Sequence, residues 1–126
     1  QRLVRRLCSV CKKPYHPSRD EYDQLVHSYG DEAFKANGLP EYSEDLNLMK
    51  AVGCPACEGL GFSGRIAIQE LLVNSPELRA AIKQKAGADA LTEVACSQGM
   101  VTLRQDGIEK VFLGITDFNR VNQVCI

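Results

Sequence analysis

Gly53-Cys54-Pro55-Ala56-Cys57-Glu58-Gly59-Leu60-Gly61-Phe62-Ser63-Gly64-Arg65, read together with Cys8-Ser9-Val10-Cys11, decides how this chain is organised. Each Cys-x-x-Cys pair can fold into a tight knuckle that aims two thiolates at one point, and two pairs supply the four ligands of a tetrahedral zinc site. The ligand set expected from this spacing is Cys8, Cys11, Cys54 and Cys57. Forty-two residues separate the inner cysteines, so the intervening segment is an insertion between two halves of one metal site. Four thiolates leave no coordination position open for water, which makes the expected metal structural rather than catalytic. Structural zinc in small domains contributes on the order of 10 to 16 kcal/mol of apparent free energy, comparable with the whole stability of a domain.

Other uses of these residues fit less well. A redox Cys-x-x-Cys needs one exposed thiol of low pKa in a thioredoxin-like βαβ context, and neither the strand pattern nor the presence of two pairs matches it. His16, five residues after Cys11, could replace one cysteine as ligand, but between Pro14 and Pro17 it reads as a surface histidine. Cys96 falls on the apolar side of an expected helix and Cys125 near the end of the chain, where both read as small packing residues. Gly59, Gly61 and Gly64 are not followed by Gly-Lys-Ser/Thr and lack the spacing of a dinucleotide fingerprint, so they read as turn glycines around the metal.

Working outward, the sequence predicts an α+β fold, mainly α. Leu3, Val4 and Leu7 have the spacing of an amphipathic helix and read as the end of an element packed on a preceding body. Ser18 with Glu21 is a capping box opening a helix to Tyr29, with Tyr22, Leu25, Val26 and Tyr29 on one face, and residues 31–36 add a further helical turn. Leu46, Leu48 and Val52 predict one strand and Ile66, Ile68 and Leu72 a second, placing the knuckle at the head of a hairpin. Ser75-Pro76-Glu77 starts a helix with Leu78 and Ile82 as its apolar stripe, and another is expected over residues 89–98. Thr102 with Gln105 caps a helix facing Leu103, Ile108, Val111 and Phe112 inward, and Thr116 caps a last one with Phe118, Val121 and Val124. The expected division is a tetracysteine metal-binding subdomain with its helical insertion over residues 1–72, and a helical subdomain of about four short helices over residues 73–126.

Composition sets the limits of function. The 126 residues are 44% hydrophobic and 25% charged, near the averages for globular proteins, and contain no apolar run of membrane-spanning length. The net charge of −1 hides an uneven distribution. Arg2, Arg5, Arg6, Lys12, Lys13 and Arg19 stand in the first 19 residues without an acid, whereas residues 20–50 carry eight acids against Lys35 and Lys50. The basic run can offset a tetrathiolate zinc centre, which keeps a charge of about −2. With little aromatic interleaving in that run and a mildly acidic chain, no nucleic-acid partner is expected. Cysteine pairs without a signal sequence favour a reducing compartment, and hence the cytosol. The first residue is Gln rather than Met, and the chain reads as a piece of a longer protein. No Ser-His-Asp or paired-carboxylate arrangement amounts to an active site.

Gln1-Arg2-Leu3-Val4-Arg5, Cys-x-x-Cys-Lys over residues 8–12, Gly-Cys-x-x-Cys-x-Gly-x-Gly-Phe-x-Gly-Arg over residues 53–65 and Ile-x-Glu over residues 68–70 resemble the C-terminal region of bacterial type II secretion and type IV pilus assembly ATPases. The likeness continues through Gly99-Met100-Val101-Thr102-Leu103-Arg104-Gln105-Asp106-Gly107-Ile108 and Gly114-Ile115-Thr116. It departs from the family pattern at Asp117-Phe118-Asn119-Arg120-Val121, where acids usually precede the valine. The resemblance implies a hexameric cytoplasmic motor, peripheral at the inner membrane, whose RecA-like core binds ATP and Mg2+ and drives assembly of a pilus or pseudopilus. Its partners would be neighbouring ATPase subunits and inner-membrane platform proteins. By matched position Cys8, Cys11, Cys54 and Cys57 would hold zinc. The nucleotide-binding residues of the family have no counterpart here, so this segment is not expected to hydrolyse ATP by itself, although the parent protein would. The charge and amphipathic helix of the aromatic-bearing insertion over residues 18–45 point to a contact surface for a neighbouring subunit or a platform protein, against the default reading of a solvated helix face. Two other readings compete: the Cys-x-x-Cys-x-Gly-x-Gly form of J-protein zinc chaperones, matched once where those proteins repeat it, and a nucleic-acid-binding zinc ribbon.

Overall fold

A computed structural model describes residues 1–125. The order of elements is β1 (Arg2–Leu7), β2 (Lys13–Tyr15), α1 (Arg19–Tyr29), α2 (Asp31–Ala36), β3 (Leu48–Lys50), β4 (Phe62–Ile68), α3 (Pro76–Lys83), α4 (Ala88–Ser97), α5 (Leu103–Phe112) and α6 (Phe118–Val124). Helices outweigh strands, and the fold is α+β, mainly α, as its sequence predicts.

The N-terminal stretch is a strand, not a helix end. Val4 and Leu7, three residues apart, are both buried, Val4 in the core and Leu7 where β1 runs into the first knuckle. A regular strand turns residues three apart to opposite faces, so β1 is covered on both sides here, while the register shift between Arg5 and Leu7 places its extra residue in β4. The strands flanking the second knuckle do not pair with each other either: β1 pairs with β4 and β2 with β3, both antiparallel. Each knuckle is a corner between the two ladders, Cys8–Cys11 leading from β1 to β2 and Cys54–Cys57 from β3 to β4. Val52 and Leu72 lie outside the strands and are half exposed.

Helix starts follow local chemistry closely. Ser18, Ser75 and Thr102 cap α1, α3 and α5 by accepting the backbone N–H groups of Glu21, Leu78 and Gln105. The box at Thr102 is complete, with Gln105 accepting the Thr102 N–H at 2.9 Å. At Ser18 it is not, because the Glu21 carboxylate accepts the Tyr15 hydroxyl instead. Asp117, not Thr116, caps α6. Thr116 is fully buried and its hydroxyl donates to the Arg5 carbonyl at 2.8 Å, tying the α5–α6 turn to β1.

The core gathers around α5. Ile108 and Val111 pack with Val4 and Ile68 from the β1–β4 sheet, Leu25 from α1, Leu48 from β3 and Val121 from α6. Gly107 allows α6 to approach, since a Cβ there would lie 2.6 Å from a methyl of Val121. Tyr22, Tyr29 and Phe34 of the insertion point inward, with Tyr22 and Phe34 edge-on to Phe112, so the insertion exposes its acids rather than its rings. No residue of α3 or α4 enters this core. The two helices pack on each other through Leu78 and Ala95, and Ile82, expected in the apolar stripe, is 54% exposed. Among the described residues no helix is long and apolar enough to cross a membrane.

Candidate metal centre

The four cysteines expected from the sequence converge, with all four sulfurs within 4.8 Å of one another. Cys8 and Cys54, Cys11 and Cys57, and Cys54 and Cys57 are each separated by 3.8 Å between sulfurs. A tetrahedron with zinc–sulfur bonds of about 2.3 Å has sulfur–sulfur edges of about 3.8 Å, so the donor set matches a zinc tetrathiolate in type, number and spacing. A disulfide needs sulfurs about 2.05 Å apart, and every cysteine here is free.

The backbone prepares the site for negative sulfur. The Gly53 N–H donates to Cys11 Sγ at 3.3 Å, and the Cys54 and Gly61 N–H groups donate to Cys57 Sγ at 3.2 Å each. Burial of Cys57 opposes its ionisation, but these two N–H groups and the neighbouring thiols of Cys54 and Cys11 outweigh it, holding the thiol down to about 6. Burial, with the neighbouring thiols adding to it against the Gly53 N–H, pushes Cys11 up to about 11. Cys57 is therefore favoured as thiolate over Cys11, as expected where like groups share a site.

The glycines are part of the same construction. Gly61 has φ +81°, and a Cβ there would lie 2.7 Å from the Cβ of Ala51. Its carbonyl also accepts the Cys8 N–H at 2.9 Å, so one residue joins both knuckles. Gly61→Ala should cost about 2–3 kcal/mol, because a strained φ and a clash with the Ala51 Cβ add. Gly59→Ala, at φ +77° with open space around it, should cost about 1 kcal/mol. Urea titration of both variants at saturating zinc measures the difference, and equal midpoints would contradict the clash.

Residues outside the knuckles lock this corner to the helices. Lys12, from the basic run, donates to the Gly114 carbonyl at 2.8 Å beyond the end of α5, and the Leu7 N–H donates to the Ile115 carbonyl at 2.8 Å. At the far end of β4, Glu70 accepts the Leu103 N–H and Asp106 accepts the Gln69 N–H, both at 2.8 Å. This exchange of carboxylates seats the N-terminus of α5 on the strand. The sequence showed Glu70 and Asp106 only as parts of motifs, because a carboxylate's backbone partner 33 or 37 residues away leaves no local pattern.

His16 is outside the cluster: its Nδ1 lies 2.8 Å from the Leu46 carbonyl and its Nε2 3.0 Å from the Tyr42 hydroxyl. Cys96 and Cys125 are likewise elsewhere, on α4 and at the end of α6. A cleft of about 820 Å3 opens between β4, the α3–α4 pair and α5, but its Asp106 and Lys110 are paired with each other at 2.8 Å. The four cysteines form a corner that could hold a metal ion.

Comparison with known proteins places this geometry. The family model described as "Type II/IV secretion system protein" matches residues 1–123. The chain belongs to this secretion-system family. Similar relatives include the type IV pilus assembly ATPase PilB of Thermus thermophilus, 39% identical over 96% of this chain and 12% of its own length. Others are the PilB of Pseudomonas aeruginosa, 34% identical over 98% of this chain and 20% of its own, and the type II secretion system ATPase E of Vibrio cholerae, 36% identical over 98% and 22%. This secretion-family chain thus spans between about an eighth and about a fifth of the length of these curated relatives. Both knuckles and the motifs that α5 carries lie inside the matched region.

Proposed function

We propose that Cys8, Cys11, Cys54 and Cys57 hold one structural zinc ion, and that this segment is the metal-stapled part of an ATPase subunit powering type II secretion or type IV pilus assembly. The observation that carries the reading is the four-sulfur cluster with 3.8 Å spacings inside a segment that the family model matches over residues 1–123. The residues fit zinc: four soft donors, three backbone N–H groups directed at sulfur, and glycines where side chains would collide. When bound, the ion supplies a cross-link and no chemistry.

The chain's own residues then do mechanical work. The cross-link fixes the corners of two ladders, Lys12 and Thr116 fasten those corners to the α5–α6 turn, and α5 carries the core. The result is a rigid body able to pass motion from a nucleotide-driven core to neighbouring subunits or to platform proteins of the inner membrane. ATP and Mg2+ would bind in the parent outside this segment, in a cytoplasmic assembly. In the intact ATPase subunit, Cys54→Ser with Cys57→Ser should leave nucleotide binding within about twofold and abolish pilus assembly or secretion. Full export by the double variant would overturn the coupling role.

A further inference from the structure

We propose that Cys54 is a peroxide-sensitive modification site, whose oxidation to a disulfide with Cys57 releases the metal and unfastens the corner it staples. The inference rests on the reading of the four cysteines as a zinc site. Zinc would hold all four sulfurs as thiolates, so their reactivities differ through access and through the strength of the sulfur lone pairs. Cys8 and Cys57 are buried, at 2% and 4% exposure, whereas Cys11 and Cys54 are half-buried. An N–H donated to sulfur draws on its lone pairs and lowers its nucleophilicity. Cys57 receives two such bonds, from Cys54 and Gly61, and Cys11 receives one, from Gly53. Among the described residues no backbone N–H donates to the sulfur of Cys54 or of Cys8. Of the four, Cys54 alone combines access with a sulfur that no N–H quenches.

The knuckle sets the partner. Cys8 Sγ and Cys57 Sγ both lie 3.8 Å from Cys54 Sγ. Cys54 and Cys57 share one turn, in which the Cys57 N–H donates to the Cys54 carbonyl and the Cys54 N–H to Cys57 Sγ, both at 3.2 Å, so they stay neighbours without the ion. Cys8 belongs to the other knuckle. The Cys54 thiolate attacks one oxygen of hydrogen peroxide: an S–O bond forms, the O–O bond breaks, and the hydroxide that leaves takes a proton from solvent to become water. The Cys57 thiolate then attacks the sulfur of the resulting sulfenic acid, forming the S–S bond and expelling hydroxide, which is protonated to a second water. Each sulfur gives up one electron, one peroxide is reduced to two waters, and two protons are consumed. The two sulfurs draw together from 3.8 Å to about 2.05 Å and are lost as ligands, leaving only those of Cys8 and Cys11. Cys96 and Cys125, outside the cluster, have no metal to hold them as thiolates, the form that reacts.

Hydrogen peroxide added to the zinc-loaded protein tests it. A chromogenic chelator reads released zinc, peptide mapping locates the disulfide, and dimedone in a parallel sample traps sulfenic acid. Zinc content before peroxide reads the metal site itself, and the map afterwards reads the modification, so the two can fail separately. One zinc is expected to leave for each Cys54–Cys57 disulfide formed, both at one rate, and dithiothreitol with added zinc should return the protein to its starting zinc content. Trapped sulfenic acid should be about tenfold more abundant on Cys54 than on Cys8 or Cys11. Zinc retained under peroxide, zinc released without a disulfide, sulfenic acid or a disulfide mapped chiefly to Cys8 or Cys11, or Cys96 oxidised before the cluster would each overturn the proposal.

Discussion

Cys54→Ser should turn a chain that melts cooperatively with one zinc bound into one that binds little metal and loses its sharp transition. Residues 53–64 include Gly53, Glu58, Gly59, Gly61 and Gly64, all at positive φ. Glu58, at φ 56°, holds that conformation without the freedom of glycine. Its own backbone bonds are local turns, from the N–H groups of Cys57, Glu58, Gly59 and Leu60 to carbonyls three or five residues back, so the metal is what makes its shape the lowest in free energy. Removing one ligand forfeits a share of roughly 10–16 kcal/mol of apparent binding energy, in a domain whose total stability is about 5–15 kcal/mol. Elemental analysis should fall from one zinc per chain to well below half. The thermal midpoint should drop by more than about 10 °C, since each kcal/mol shifts a domain of this size by a few degrees. Cys96→Ser, on the half-exposed side of α4, should change neither quantity. An unchanged midpoint in the Cys54 variant, or a metal-free wild type that melts normally, would remove zinc from the structural account.

Ile108→Ala should be the most damaging single truncation away from the metal. Ile108 is fully buried in the cluster where the sheet, α1, β3 and α6 meet, so the rigid helix and strands around it cannot collapse into the space. A loss of about 3–4 kcal/mol is expected, the transfer of the missing methyl groups plus the cavity they leave. Urea unfolding at saturating zinc should show the lower midpoint with an unchanged slope, and zinc content should stay at one per chain because no ligand is touched. Ile82→Ala, at a position 54% exposed, should stay within about 0.5 kcal/mol of wild type. A loss below about 1 kcal/mol at Ile108 would mean that α5 does not organise the core.

The contrast between these two isoleucines also marks how far the sequence could be read. Ile82 and Ile108 occupy equally plausible inward positions of amphipathic helices, and periodicity treats them alike. What separates them is that α5 is surrounded by other elements, whereas α3 and α4 meet chiefly each other. Number and distance of neighbours are not local properties, and no helical pattern encodes them. The same limit explains the N-terminus, where a strand buried on both sides at Val4 and Leu7 carries the spacing of a helix.

By itself the sequence determined the elements whose signals lie within a few residues. Ser18, Ser75 and Thr102 open helices because a side-chain oxygen can reach an N–H three residues on, and Cys-x-x-Cys makes a knuckle because two residues are enough to turn the chain. It also determined which four cysteines are brought together, since two pairs are the simplest source of four thiols. Tertiary structure alone decided that the strands flanking the knuckle pair with β1 and β2 rather than with each other, and that Thr116 is buried against Arg5 instead of capping α6. Strand partners and a buried hydroxyl are settled by contacts between residues far apart in the chain, which compete only once the whole core has closed.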